Sequence, residues 1–274
     1  MQRTVFVTGA SAGIGYAAAE LFLARGYRVY AGARRSEKMA PLRDKGAEIF
    51  PLDVADESSL RAAASRILDK EGSLDILVNN AGYGAHGAIE DVPLDEARRQ
   101  FEVNVFAPAR LAQLFLPAMR ARRGGRIINI SSIAGRVTLP AAGWYHASKH
   151  ALEAWSDALR LEVKPFGIKV VLIEPGPVRT EWDDTALVNL RKYSGSGPYA
   201  PMIERMTGKF RSGYREGAAG PEVVAAAIVK AAEAGSPAPR YVVPFRASLM
   251  TAALRLLPGR VSDFVLDRLL NPRQ

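Results

Sequence analysis

The sequence predicts an α/β fold in which one sheet of parallel strands is covered by helices on both faces. Three observations carry that expectation. Short β-branched runs alternate with longer segments of helical period along the 274 residues, the pattern that parallel strands and right-handed crossovers produce. A glycine-rich turn stands directly after the first strand and opens the first long helix. No linker, internal repeat or low-complexity tract divides the chain, so a single doubly wound domain is expected.

In chain order, Val5–Val7, Arg28–Tyr30, Ala47–Phe50, Ile76–Val78, Arg126–Ile130 and Val170–Ile173 read as six strands. Helical stretches lie between them at Gly13–Arg25, Asp56–Glu71, Leu94–Arg122 and Trp144–Pro165. Tyr241–Val243 reads as a seventh, late strand, so the body spans residues 1–244. Within it, residues 181–220 carry prolines, glycines and aromatics without strong periodicity, as expected of a substrate lid. Residues 245–274 form an apolar, arginine-studded extension with expected helices at Leu249–Leu257 and Val261–Leu270.

Composition removes several function classes. Hydrophobic residues make up 48% of the chain, enough for a large core. The absence of cysteine excludes disulfides, thiolate nucleophiles and thiolate metal sites. His86, His146 and His150 lack ligand spacing, so no metal is expected. The net charge of +9 is scattered, with no basic run interleaved with aromatics, so no nucleic-acid partner is expected. No apolar stretch is long enough to span a bilayer. The chain runs at once from Met1 into its first strand, leaving no room for a signal peptide, and a cytoplasmic location is expected.

The turn Thr8–Gly15 contains Gly9, Ser11, Gly13, Ile14 and Gly15. Its glycines let backbone turn tightly and approach a pyrophosphate at the positive end of the following helix. After the second strand, where an acid would hold the ribose of NAD, Ala31-Gly32-Ala33-Arg34-Arg35 has none. Arg34 and Arg35 are suited instead to the 2′-phosphate of NADP(H), the cofactor favoured here; as bare loop cations they would be merely solvated. Asp53, beside Val54, is placed either to accept from an adenine amino group or to cap the helix starting near Asp56. Asn79-Asn80-Ala81-Gly82 offers small residues for close cofactor approach, or an ordinary turn.

Tyr145 and Lys149 stand four residues apart in an expected helix, hence on one face. A phenol ionises near pH ~10. An ammonium held beside it favours the phenolate and brings the group toward the working range of a general acid or base.

Together these elements resemble the short-chain dehydrogenase/reductase family. The likeness runs from about Thr4 to Trp182 through Thr8–Gly15, Asp53, Asn79–Gly82, Asn104, Ser132, Tyr145, Lys149 and Pro175-Gly176, in family order. It implies a single Rossmann-type domain, a mostly parallel seven-stranded sheet, and hydride transfer between nicotinamide and a carbonyl or alcohol carbon. It also implies roles. Tyr145 is the general acid/base and Ser132, selected over Ser131 by its thirteen-residue spacing to Tyr145, binds the reacting oxygen. Lys149 lowers the Tyr145 pKa and binds the nicotinamide ribose. Asn104 holds a water linking Lys149 to solvent. Pro175, Gly176 and Val178 pack on the nicotinamide, and Thr180 contacts its carboxamide or phosphate. The family is commonly dimeric or tetrameric, so a homo-oligomer is expected.

For the substrate, Gly143 and Trp144 are expected contacts, with Trp182. Tyr193, Tyr199, Met202, Met206, Phe210 and Tyr214 either line an apolar pocket or pack the lid on the body. No cation stands out as an anchor for an anionic substrate. A small lipophilic ketone or secondary alcohol fits best, steroid-like, retinoid-like or long-chain aliphatic. The tail, which resembles that of hydroxysteroid and retinol dehydrogenase-like members, either docks on the body or a second subunit or touches a membrane surface peripherally. The alternative functions are a 3-oxoacyl thioester reductase and a non-catalytic NADP-sensing scaffold protein.

Overall fold

A central parallel strand must be apolar on both faces, and Val5, Phe6 and Val7 meet that demand: each is fully buried in β1 (Thr4–Thr8). The structure, a computed structural model, describes residues 2–244 and 257–270. Around β1 it assembles β2 (Arg28–Ala33), β3 (Glu48–Pro51), β4 (Ile76–Asn79), β5 (Gly125–Ile130), β6 (Ile168–Pro175) and β7 (Arg240–Val243). Among the described residues the sheet has seven strands in the order β3-β2-β1-β4-β5-β6-β7, and every pairing is parallel.

Alternation along each strand feeds two core layers. Val5, Val7, Val29, Ile128 and Ile173 face helices α1 (Gly13–Ala24) and α9 (Pro221–Glu233), meeting Phe22, Val224 and Ile228. Phe6, Tyr30, Phe50, Leu77 and Ile127 face the other way. There they meet α3 (Glu57–Glu71), α5 (Ala107–Ala121) and α6 (Gly143–Val163) through Ile67, Phe115 and Leu159. Each such side chain contributes about 1.5–3 kcal/mol by leaving water.

Three expectations need correction. The single helix expected over Leu94–Arg122 is α4 (Leu94–Phe101), a π-helical turn at Glu102–Phe106, and α5. Residue 108 is proline and has no N–H to give the Asn104 carbonyl, its α-helical acceptor. A wider turn at that point follows. Residues 181–220, expected without periodicity, form α7 (Glu181–Ser194) and α8 (Ala200–Gly217). The connection between them holds Gly195, Gly197 at φ 83° and Pro198, while Gly208 and Gly213 fall inside α8. The strand expected at Ala47–Phe50 is displaced by one residue. A short helix α2 (Ala40–Asp44) precedes it.

In the extension, helix α10 (Gly259–Leu270) covers the expected Val261–Leu270 segment and leaves Val261 and Phe264 exposed. The expected Leu249–Leu257 helix lies outside the described residues except at its last position. No helix among the described residues is long and apolar enough to cross a membrane.

Candidate active site

Strand order reverses on either side of β1, which leads to β2 on one side and β4 on the other. In an open parallel sheet, ligands bind outside the carboxyl ends of the strands at such a reversal. A cleft of about 870 Å³ lies there, bounded by the glycine turn, the ends of β2, β4, β5 and β6, and the start of α6.

One end of the cleft is built from backbone held at close range. Gly9 has φ 68°, and a Cβ on it would lie 2.9 Å from the Ala81 Cα. A Cβ on Gly15 would strike the Asn80 amide and lie 2.5 Å from the Gly9 carbonyl. That amide donates to the carbonyls of Thr8 (2.9 Å) and Gly9 (3.2 Å). The Thr8 hydroxyl in turn accepts from the backbone N–H of Asn80 (3.0 Å) and Ala81 (3.1 Å). The turns after β1 and β4 are thus one locked unit.

Helix α1 begins beside this unit with no side-chain cap and no acid in its first turn. Its first N–H groups and dipole suit an anion, and Gly13 and Ile14 line the cleft. The residues present therefore fit a dinucleotide pyrophosphate. Gly15→Ala is expected to destabilise the fold by about 1–3 kcal/mol through overpacking and to weaken cofactor binding. Denaturant unfolding and a cofactor fluorescence titration measure the two effects.

Asp53 and Val54 line the same end. Asp56, not Asp53, caps α3, accepting from Ser58 N–H at 2.9 Å, while the Asp53 carboxylate accepts from Ala55 N–H at 3.0 Å. Arg34 and Arg35 line the cleft. Arg35 pairs with Glu181 at 2.8 Å, and Lys38 reaches the other oxygen of that carboxylate at 3.2 Å.

At the other end, the π turn carries Asn104 into the interior, where it is 1% exposed. Its amide donates to the Tyr83 carbonyl (2.9 Å) and the Ser148 hydroxyl (3.0 Å), and its oxygen accepts from Tyr83 N–H (3.1 Å). Ser148 donates to the Tyr145 carbonyl at 2.8 Å. Lys149 is buried and donates to the Ile130 carbonyl at 2.8 Å, its Nζ lying 5.8 Å from the Tyr145 ring centroid. Burial brings the Lys149 ammonium down to about 8, with the Glu153 charge acting the other way. Ser132 accepts from Ala134 N–H at 3.1 Å and donates to the Pro175 carbonyl at 3.3 Å. Tyr145, Lys149 and Ser132 line the cleft together with Pro175, Gly176, Val178 and Thr180. Such a group can hold a carbonyl oxygen between a hydroxyl donor and a phenol whose conjugate base is favoured by an ammonium.

Several participants carry no local sequence signal. His86 stacks on Tyr145, ring centroids 5.5 Å apart, and burial pushes its pKa down to about 4, leaving a neutral imidazole in the cleft. The fully buried Glu174, next to Pro175, is held by Arg136 at 3.0 Å and by Arg240 at 3.1 Å. Arg240 also holds Glu153 at 3.0 Å.

The expected substrate residues divide. Gly143 and Trp144 do not line the cleft; the bare face of Gly143 is covered by Ile89. Met206 does line it, while Tyr199 and Met202 pack against Ala141, Leu190 and Ile203. The side chains of Trp182, Phe210 and Tyr214 lie outside the described residues. Val137, Leu139 and Leu190 supply further apolar wall.

The family model for short chain dehydrogenases matches residues 3–188. VdlC of Helicobacter pylori, a probable short-chain type dehydrogenase/reductase, is 40% identical over 257 residues, 94% of either chain. The NADPH-dependent 3-dehydrocapnine reductase of Ornithobacterium rhinotracheale is 38% identical, with 95% of each chain covered. The 3-ketodihydrosphingosine reductase of Bacteroides thetaiotaomicron is 35% identical, with 96% of each covered. Among solved structures, a short-chain dehydrogenase of Streptomyces avermitilis superimposes with a TM-score of 0.80 at 33% identity, covering 99% of this chain and 96% of its own. The chain belongs to the short-chain dehydrogenase family, oxidoreductases that act on carbonyl and alcohol groups with a nicotinamide dinucleotide.

Proposed function

We propose that the chain is an NADP(H)-dependent reductase of lipophilic ketones, acting in reverse on the corresponding secondary alcohols. The observation that carries this reading is the meeting of Tyr145, Lys149 and Ser132 in one cleft with Arg34 and Arg35. When bound, the reduced nicotinamide supplies the hydride that the carbonyl carbon receives. Tyr145 gives its phenolic proton to the carbonyl oxygen, which becomes the alcohol hydroxyl. Ser132 donates to the same oxygen as charge develops on it. The Lys149 ammonium favours the phenolate left on Tyr145, and Asn104 would hold a water through which the proton is restored.

Several features support the finer choices. No acid stands at the end of β2 to hold a free ribose, whereas Arg34 and Arg35 follow it directly. One relative is NADPH-dependent by name, and another is named for a keto group that it reduces. Val137, Leu139, Leu190 and Met206 offer an apolar wall to a lipophilic substrate. Helices α7 and α8 serve as the lid.

The cofactor choice is tested by fluorescence titration of wild type and the Arg34→Ala/Arg35→Ala double variant with NADPH and NADH. Loss of two charge-assisted contacts, each about 1.5–3 kcal/mol, is expected to weaken NADPH at least tenfold. NADH binding is expected to stay within about twofold. Equal losses for both cofactors would refute the assignment of a 2′-phosphate to these arginines.

A further inference from the structure

The first residue of α7, Glu181, directly follows Thr180 and lines the cleft near Arg34 and Arg35. Its carboxylate is shared between Arg35 (2.8 Å) and Lys38 (3.2 Å), which belong to the segment after β2. These two cations hold the Glu181 carboxyl below the usual carboxylate range. A carboxylate gripped by an arginine and a lysine occupies the same donors that a phosphate would take.

We propose that Glu181 is an internal stand-in for the cofactor 2′-phosphate: it occupies Arg35 and Lys38 in the free protein and is displaced by NADP(H) but not by NAD(H). The inference rests on the NADP(H) reading above and deepens it by adding Lys38 as a phosphate ligand and Glu181 as a specificity-determining competitor. A dinucleotide carrying the 2′-phosphate brings negative charge to the place where the Glu181 carboxylate sits. The two anions cannot share Arg35 and Lys38 without repulsion, so binding of one releases the other. A dinucleotide with a free 2′-hydroxyl brings no such charge and leaves the pair closed. Because Glu181 starts α7, its release also frees the base of that helix from the segment after β2. The type of cofactor is thereby coupled to the covering of the cleft.

The test is calorimetric titration of wild type, Glu181→Gln, Lys38→Ala and the control Glu37→Gln with NADP⁺ and with NAD⁺. Glu37 is exposed in the same segment, and Glu37→Gln removes the same charge without touching the Arg35–Glu181–Lys38 contact. Removal of the competitor is expected to tighten NADP⁺ binding by up to about fivefold, the upper end for a solvent-exposed ion pair. NAD⁺ binding is expected to stay unchanged, and Lys38→Ala to weaken NADP⁺ alone. Unchanged or weaker NADP⁺ binding by Glu181→Gln would overturn the inference, as would an equal gain from Glu37→Gln, which would reduce the effect to general charge. A wild-type protein that binds NAD⁺ as tightly as NADP⁺ would instead overturn the underlying cofactor reading.

Discussion

Replacing Tyr145 with phenylalanine is expected to lower turnover by about 10²–10⁴-fold, the usual contribution of a positioned general acid. Cofactor affinity should change little. The ring that stacks on His86 is retained, and the backbone carbonyl that accepts from Ser148 is untouched. Only the phenolic oxygen is removed, and with it the proposed proton donor. His86 is a poor substitute, since burial holds its pKa near 4 and leaves it little protonated at neutrality. Steady-state NADPH oxidation with a lipophilic ketone, alongside an NADPH fluorescence titration, separates the two quantities. Turnover within tenfold of wild type, at equal affinity, would mean that another group protonates the oxygen.

Lys149→Met is expected to abolish most turnover and to change how stability depends on pH. The ammonium is buried and its pKa falls from 10.5 to about 8. That difference corresponds to about 3 kcal/mol of destabilisation by the charged form. Below pH 8 both folded and unfolded states carry the proton, so the whole penalty applies. Between pH 8 and 10.5 the unfolded state binds more protons, and wild-type stability rises relative to the variant; above that range the penalty is gone. Loss of the donor to the Ile130 carbonyl opposes the gain by about 1–3 kcal/mol, so the net change at pH 7 is small. The pH dependence is the clearer readout. Urea unfolding at pH 7 and pH 10 should show the wild type gaining a few kcal/mol on the variant. Parallel stability curves would mean that Lys149 is not a desolvated ammonium in the free protein.

Much of this architecture is legible in the sequence because central parallel strands are buried on both faces. Their apolar runs, such as Val5–Val7, stand out without any need for alternation. The pairing of Tyr145 with Lys149 is equally local, since helical period alone brings them to one face. Gly143 and Trp144 stand next to Tyr145 in sequence but are not among the residues that line the cleft. Neighbours in sequence point in different directions around a helix, so adjacency to Tyr145 says little about where they face. The π turn at Glu102–Phe106 leaves one readable trace, a proline four residues after Asn104. The helices α7 and α8 were obscured by glycines and prolines, which mark their connection but also occur inside α8 as Gly208 and Gly213.

The buried carboxylates have no such trace. Arg136, Glu153, Glu174 and Arg240 come from four separate stretches of chain and meet through the packing of β6 against β7 and of α6 on β6. A charged residue in a strand, such as Glu174, reads as an error of pattern until its arginine partners are seen. His86 lies in the irregular connection after β4, where periodicity gives no information. Glu181 likewise becomes meaningful only when α7 is seen to start beside the segment after β2.

On the proposed mechanism, hydride passes within this cleft from NADPH to a carbonyl carbon. The measurement supplies NADPH carrying deuterium at both C4 positions of the nicotinamide together with a lipophilic ketone and reads the product by mass spectrometry. The expected product is an alcohol with one deuterium on its carbinol carbon, formed by wild type and nearly absent with Tyr145→Phe. An unlabelled product, or no alcohol from any ketone although NADPH binds, would contradict it.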